Sequence, residues 1–109
     1  MLNNYNHPED IRKIIEEQDL VVALFSDLEC NVCLSITPDL IEMSEAYPNV
    51  NFISADVAAV KALVGEYLVL VYPTIIVFAQ GKETKRFERL FSLDNLEETV
   101  ARFDRILNS

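Results

Sequence analysis

Leu20-Val21-Val22-Ala23-Leu24-Phe25 is an apolar run with no polar residue in it. A half-buried strand alternates apolar and polar side chains, so this run predicts a strand covered on both faces. The segments on either side of it have a different period. Upstream, Ile11, Ile14 and Ile15 make one helical stripe behind Pro8. Proline suits the first helical position, and Glu9 and Asp10 suit the first turn; Asn6 or His7 is placed to cap it. Downstream, Ile36, Leu40, Met43 and Tyr47 recur at helical spacing. A doubly covered strand between amphipathic helices points to an α/β layer structure.

The rest of the chain extends that pattern. Pro38 falls inside the helix that follows the run, where it removes one backbone hydrogen bond and should kink the axis. Pro48-Asn49 ends that helix. Asn51 to Val57 reads as a second strand, and Val57 to about Tyr67 as a short helix on Val60, Leu63 and Val64, with Gly65 near its end. Asp56 is positioned to cap it. Leu68 to Tyr72 is apolar, Pro73 interrupts, and Thr74 to Ala79 resumes as a strand. Gln80-Gly81 signals a hairpin turn, and Lys82 to Glu88 is the return strand, a charged edge. Ser92 can cap a last helix to Leu107, with Leu93, Leu96, Val100, Phe103 and Leu107 on one face. Phe87 and Phe91 are expected in the core. The predicted order is α-β-α-β-α-β-β-α, with parallel early strands and an antiparallel hairpin at the end.

At 109 residues the chain is expected to form one domain, residues 1–109. Half of the residues are apolar, and there are only two glycines and four prolines. That composition excludes disorder and low complexity. The net charge of −9 argues against a nucleic-acid partner, which would want a basic stripe. The longest apolar stretch, Tyr67 to Ala79, is too short to span a bilayer and is broken by Pro73. Residues 1–7 lack the cationic-then-apolar pattern of a signal peptide. A cytoplasmic location is the expectation.

Cys30 and Cys33 are the only cysteines, and they frame Asn31-Val32 where the apolar run gives way to helical spacing. At a helix start, positions three apart share one face. That brings two sulfurs within reach of a disulfide, which needs Cα atoms roughly 4.4–6.8 Å apart. Unpaired backbone N–H groups and the positive end of the helix dipole favour the thiolate, the form that attacks. The plain alternative is a pair of buried small hydrophobes. A zinc site lacks ligands, since His7 is the sole histidine. An iron–sulfur cluster would need thiolates from two copies of the chain.

From about Pro8 to Leu107 the chain resembles the thioredoxin-like family. The resemblance rests on the strand–Cys-x-x-Cys–helix junction, on Pro38, and on Tyr72-Pro73-Thr74 immediately before a strand some forty residues after Cys33. Gln80-Gly81 followed by a terminal amphipathic helix completes it. It implies an α/β/α three-layer sandwich around a mixed sheet of four to five strands. It also implies that Cys30 is the nucleophile toward a disulfide and Cys33 the resolving thiol. Pro73 would be cis and face the cysteines, and Tyr72, Pro73 and Thr74 would form the substrate-docking edge. Only the redox-active disulfide would be needed, with no metal or organic cofactor. Partners would be protein or small-molecule disulfides, and an upstream reductase or low-molecular-weight thiol.

The departures from that family are also specific. Glu29 stands where a tryptophan is usual, Asn31-Val32 replace Gly-Pro, and the chain has no tryptophan. Leu24 occupies the position of a proton-handling aspartate, and Phe52 that of its lysine partner. Arg89 aligns with a glycine. Asp27 and Glu29 should raise the pKa of Cys30, whereas Arg89 would lower it if its guanidinium reaches the sulfurs. Val32 keeps a backbone N–H that proline would lack. Glu29, Asn31, Val32 and Arg89 are therefore the candidate tuning residues. The expected activity is thiol–disulfide exchange in the reducing direction; the rival is a binding module of the same fold with little turnover.

Overall fold

The computed structural model describes residues 2–27 and 31–108, with the side chains of residues 31–33 outside the description. Five strands and four helices follow one another as β1 (Leu2–Tyr5), α1 (Pro8–Glu17), β2 (Leu20–Ser26), α2 (Asn31–Ala46) and β3 (Asn51–Asp56). Next come α3 (Lys61–Glu66), β4 (Thr74–Ala79), β5 (Lys82–Glu88) and α4 (Leu93–Asn108). The strands form one mixed sheet in the order β1-β3-β2-β4-β5. β3 runs parallel to both β1 and β2, while β4 runs antiparallel to β2 and β5. This is the thioredoxin fold expected from the sequence, with one strand added at its start.

The apolar run forms β2, near the middle of the sheet, and its pleat divides it between two cores. Val21, Ala23 and Phe25 face Ile11 and Ile15 of α1 and Leu63 of α3. Leu20, Val22 and Leu24 face Ile36, Leu40 and Met43 of α2 and Leu96 and Val100 of α4. Each of these side chains larger than alanine, taken fully out of water, contributes about 1.5–3 kcal/mol. Phe87 is buried in the second core and Phe91 packs against it, as expected. Pro38 lies on the exposed side of α2, where the Leu34 carbonyl it leaves unpaired can meet water.

Three local expectations are corrected. Leu2–Tyr5 pairs in register with Phe52–Ala55 of β3, although its own sequence carries no strand pattern. The third helix begins at Lys61 rather than Val57. The Asp56 carboxylate accepts the Ala58 N–H at 3.1 Å, and the Asp56 carbonyl accepts from Ala59 and Val60. Asp56 thus closes a turn over residues 57–59, and Val60 is the residue that caps α3. His7 is the N-cap of α1, as expected, and its carbonyl accepts the N–H groups of Asp10 and Ile11 while its side chain makes no capping bond.

The turns follow elementary backbone preference. Gln80 and Gly81 both have positive φ, 52° and 83°, which matches the right-handed twist of the β4–β5 hairpin. Ser92 Oγ accepts the Asn95 N–H at 3.3 Å at the start of α4, the cap expected from the sequence.

Candidate functional site

β2 ends at Ser26, and α2 begins at Asn31. Cys33 therefore stands in the first turn of α2, the turn whose backbone N–H groups have no partner within the helix. Glu29 and Cys30 lie outside the described residues, as do the side chains of Asn31, Val32 and Cys33.

The segment from Tyr67 to Pro73, which leads into β4, is fastened at both ends. At its start, the Val69 N–H reaches the Val64 carbonyl at 2.9 Å and the Leu68 N–H reaches that of Gly65 at 3.3 Å. These two bonds make a Schellman ending to α3, with Leu68 in the left-handed position at φ 53°. Arg86 of β5 donates to the carbonyls of Tyr67 at 2.5 Å and Leu68 at 2.9 Å. The same guanidinium pairs with Glu83 at 2.8 Å, and that bond raises its pKa above the ordinary arginine value.

At the other end of the segment, the Tyr72–Pro73 peptide bond is cis. The Pro73 carbonyl accepts the Arg89 N–H at 2.7 Å. Thr74 is fully buried and donates its hydroxyl to the Val71 carbonyl at 2.7 Å. Its side chain is closed to solvent and braces the loop from beneath. Pro73 is also buried, and Tyr72 is half-buried against the α1–α3 core.

Arg89 has a left-handed backbone, φ 55°, and an exposed side chain. Leu90 beside it is 79 % exposed. Arg89 was expected from the sequence as a tuning residue; the structure places its backbone on Pro73.

Leu24 and Phe52 are both buried in the core beneath α2 and α4. Leu24 also closes the inner end of a cleft of about 600 Å³ at the carboxyl ends of β1, β2 and β3. Asn4, Asn6, Ser26, Asp27, Ser54 and Asp56 line that cleft, and Leu34 and Thr37 of α2 form its other wall. Sequence reasoning missed the cleft because its lining comes from three strand ends that are far apart in the chain. Among the described residues, no three His, Cys, Asp or Glu side chains converge so as to hold a metal ion. No helix among them is long and apolar enough to cross a membrane.

Comparison with known proteins agrees with this architecture. The Thioredoxin family model matches residues 1–102. A thioredoxin H-type of Ricinus communis is 30% identical over 94 residues, covering 86% of this chain and 79% of that protein. Thioredoxin-2 of Pyricularia oryzae is 28% identical over 82 residues, covering 75% of this chain; the match spans 48% of that protein, about half its length. The solved thioredoxin of Fasciola hepatica superposes with a TM-score of 0.85 at 28% identity, covering 93% of this chain and 98% of that one.

Proposed function

The chain belongs to the thioredoxin family, and from that premise we propose that it is a thiol–disulfide oxidoreductase cycling Cys30 and Cys33 between dithiol and disulfide. The observation that carries the proposal is the place of Cys33 in the first turn of α2, directly after a sheet strand, with Cys30 three residues before it. A helix start stabilises a thiolate there, and no added group is required, because the two sulfurs carry the electrons.

In this reading the Cys30 thiolate attacks one sulfur of a substrate disulfide. A mixed disulfide forms, and the other substrate sulfur leaves as a thiolate that takes a proton. Cys33 gives up its proton and attacks the Cys30 sulfur, releasing the second substrate thiolate. Two electrons pass to the substrate, and the Cys30–Cys33 disulfide remains. A reductase or a low-molecular-weight thiol then returns it to the dithiol. Tyr72 and Pro73 form the docking edge, where the Tyr72 backbone pairs with an extended substrate segment, and Thr74 supports that edge from below. We take the direction as reducing and the setting as cytoplasmic. With Leu24 and Phe52 in the positions of the usual acid–base pair, the Cys33 proton leaves to water rather than to a buried carboxylate.

Reduction of insulin by dithiothreitol, followed by turbidity, tests the proposal. The wild-type chain should accelerate it, and Cys30→Ser should abolish the acceleration. A Cys30→Ser variant with wild-type turnover would overturn the assignment.

A further inference from the structure

Arg89 occupies a backbone position that suits glycine: its φ is 55°, in the left-handed region where a side chain is disfavoured. A long cation is nevertheless held there, and no described residue of the protein pairs with it. Arg12 and Arg86 contrast with it. Arg12 is paired with Glu9 and Glu66, and Arg86 with Glu83, two backbone carbonyls and the field of Glu88. Arg102 and Arg105 of α4 are likewise exposed and unpaired among the described residues, and Arg89 differs from them in lying beside Pro73. Its main chain is fixed against the docking edge, because the Arg89 N–H donates to the Pro73 carbonyl at 2.7 Å. Left-handed residues held next to a functional edge are a recurring mark of function.

Building on the oxidoreductase reading, we propose that Arg89 is a specificity-determining residue that selects polypeptide disulfides carrying a carboxylate beside the attacked cysteine. A segment laid along Tyr72 and Pro73 brings the residues flanking its cysteine past the Arg89 guanidinium. Leu90, exposed next to it, offers the aliphatic part of such a side chain an apolar surface. A basic flank meets the cation unfavourably and an acidic one favourably, so the discrimination is carried by KM.

The test uses three disulfide-bridged peptides, identical except for Glu, Gln or Lys on both sides of one cysteine, with dithiothreitol as the reductant. Wild type should reduce the Glu peptide with kcat/KM about threefold or more above the Lys peptide, in keeping with an exposed ion pair. The preference should shrink with added salt. Arg89→Gly should bring the ratio near one while retaining a cooperative unfolding transition, and Arg89→Glu should invert it. An identical Glu-to-Lys ratio in wild type, Arg89→Gly and Arg89→Glu would overturn the inference, including the case in which Arg89 changes all three rates together through the thiol. If wild type reduces none of the three peptides in a Cys30-dependent way, the oxidoreductase reading itself fails, and this inference fails with it.

Discussion

The Arg86 guanidinium donates to the carbonyl oxygens of Tyr67, at 2.5 Å, and Leu68, at 2.9 Å, and so ties the edge strand β5 to the loop that leads to Pro73. These are hydrogen bonds from a charged donor, which contribute about 1.5–3 kcal/mol apiece before partial exposure weakens them. Arg86→Met keeps the aliphatic stem and removes the donors. It should lower the free energy of unfolding by about 1–3 kcal/mol in urea denaturation. Arg86→Lys, with a single ammonium in place of a planar fork, should recover only part of the loss.

Two residues at the end of α3 appear in each other's conventional places. Gly65 lies inside the helix with open space around a would-be Cβ, while Leu68 holds the left-handed position that glycine normally takes. Gly65→Ala should raise stability by about 0.5–1 kcal/mol. Leu68→Gly should also be stabilising or close to neutral, because Leu68 is 66 % exposed and gives up little burial. Urea midpoints of the two variants and of their combination check both outcomes.

Introducing a carboxyl beneath α2 is expected to be costly in this chain. Leu24 is only 2 % exposed and shares its core with Phe52, so Leu24→Asp would bury an acid without a cationic partner. The loss should be about 3 kcal/mol or more at neutral pH. Burial would raise the folded-state pKa of that carboxyl above its unfolded value, so the folded form would bind its proton more tightly. The variant should therefore regain stability as pH falls toward 4 and lose it as pH rises through the raised value. Urea titrations at several pH values measure that slope.

Alkaline stability should report on two tyrosines. Burial, reinforced by Glu66, raises the Tyr67 pKa, and burial followed by the field of Glu97 raises that of Tyr47. Tyr67 also packs edge-on against Phe78, with ring centroids 5.2 Å apart. A raised folded-state pKa means that this contribution is intact below about pH 10, the unfolded tyrosine value. It is lost as pH climbs through the folded value. Tyr67→Phe and Tyr47→Phe should each flatten the decline in urea midpoint above pH 10, and the double variant should flatten it further.

Much of this architecture is readable along the chain because local signals and burial agree. The Leu20–Phe25 run, the Ile36–Leu40–Met43 stripe, the Gln80–Gly81 turn and the Ser92 cap each follow from residues close in sequence. β1 does not, since Leu2-Asn3-Asn4-Tyr5 becomes a strand only by pairing with β3. Nor does the early end of the Asp56 turn, where a side-chain bond to Ala58 competes with helix formation. At the candidate site, the resemblance brings Pro73 and the cysteine pair into one picture. Thr74's burial, the grip of Arg86 on Tyr67 and the hydrogen bond from Arg89 to Pro73 join positions that only the sheet order makes neighbours.

The central claim is a division of labour between two sulfurs, and trapping the mixed disulfide tests it most directly. Cys33→Ser and Cys30→Ser are each incubated with a disulfide-bridged peptide, and the covalent adduct is weighed by intact-protein mass spectrometry. The account predicts that Cys33→Ser accumulates a reducible adduct at Cys30, while Cys30→Ser accumulates little. Adducts of equal abundance on the two variants, or none on Cys33→Ser, would contradict it.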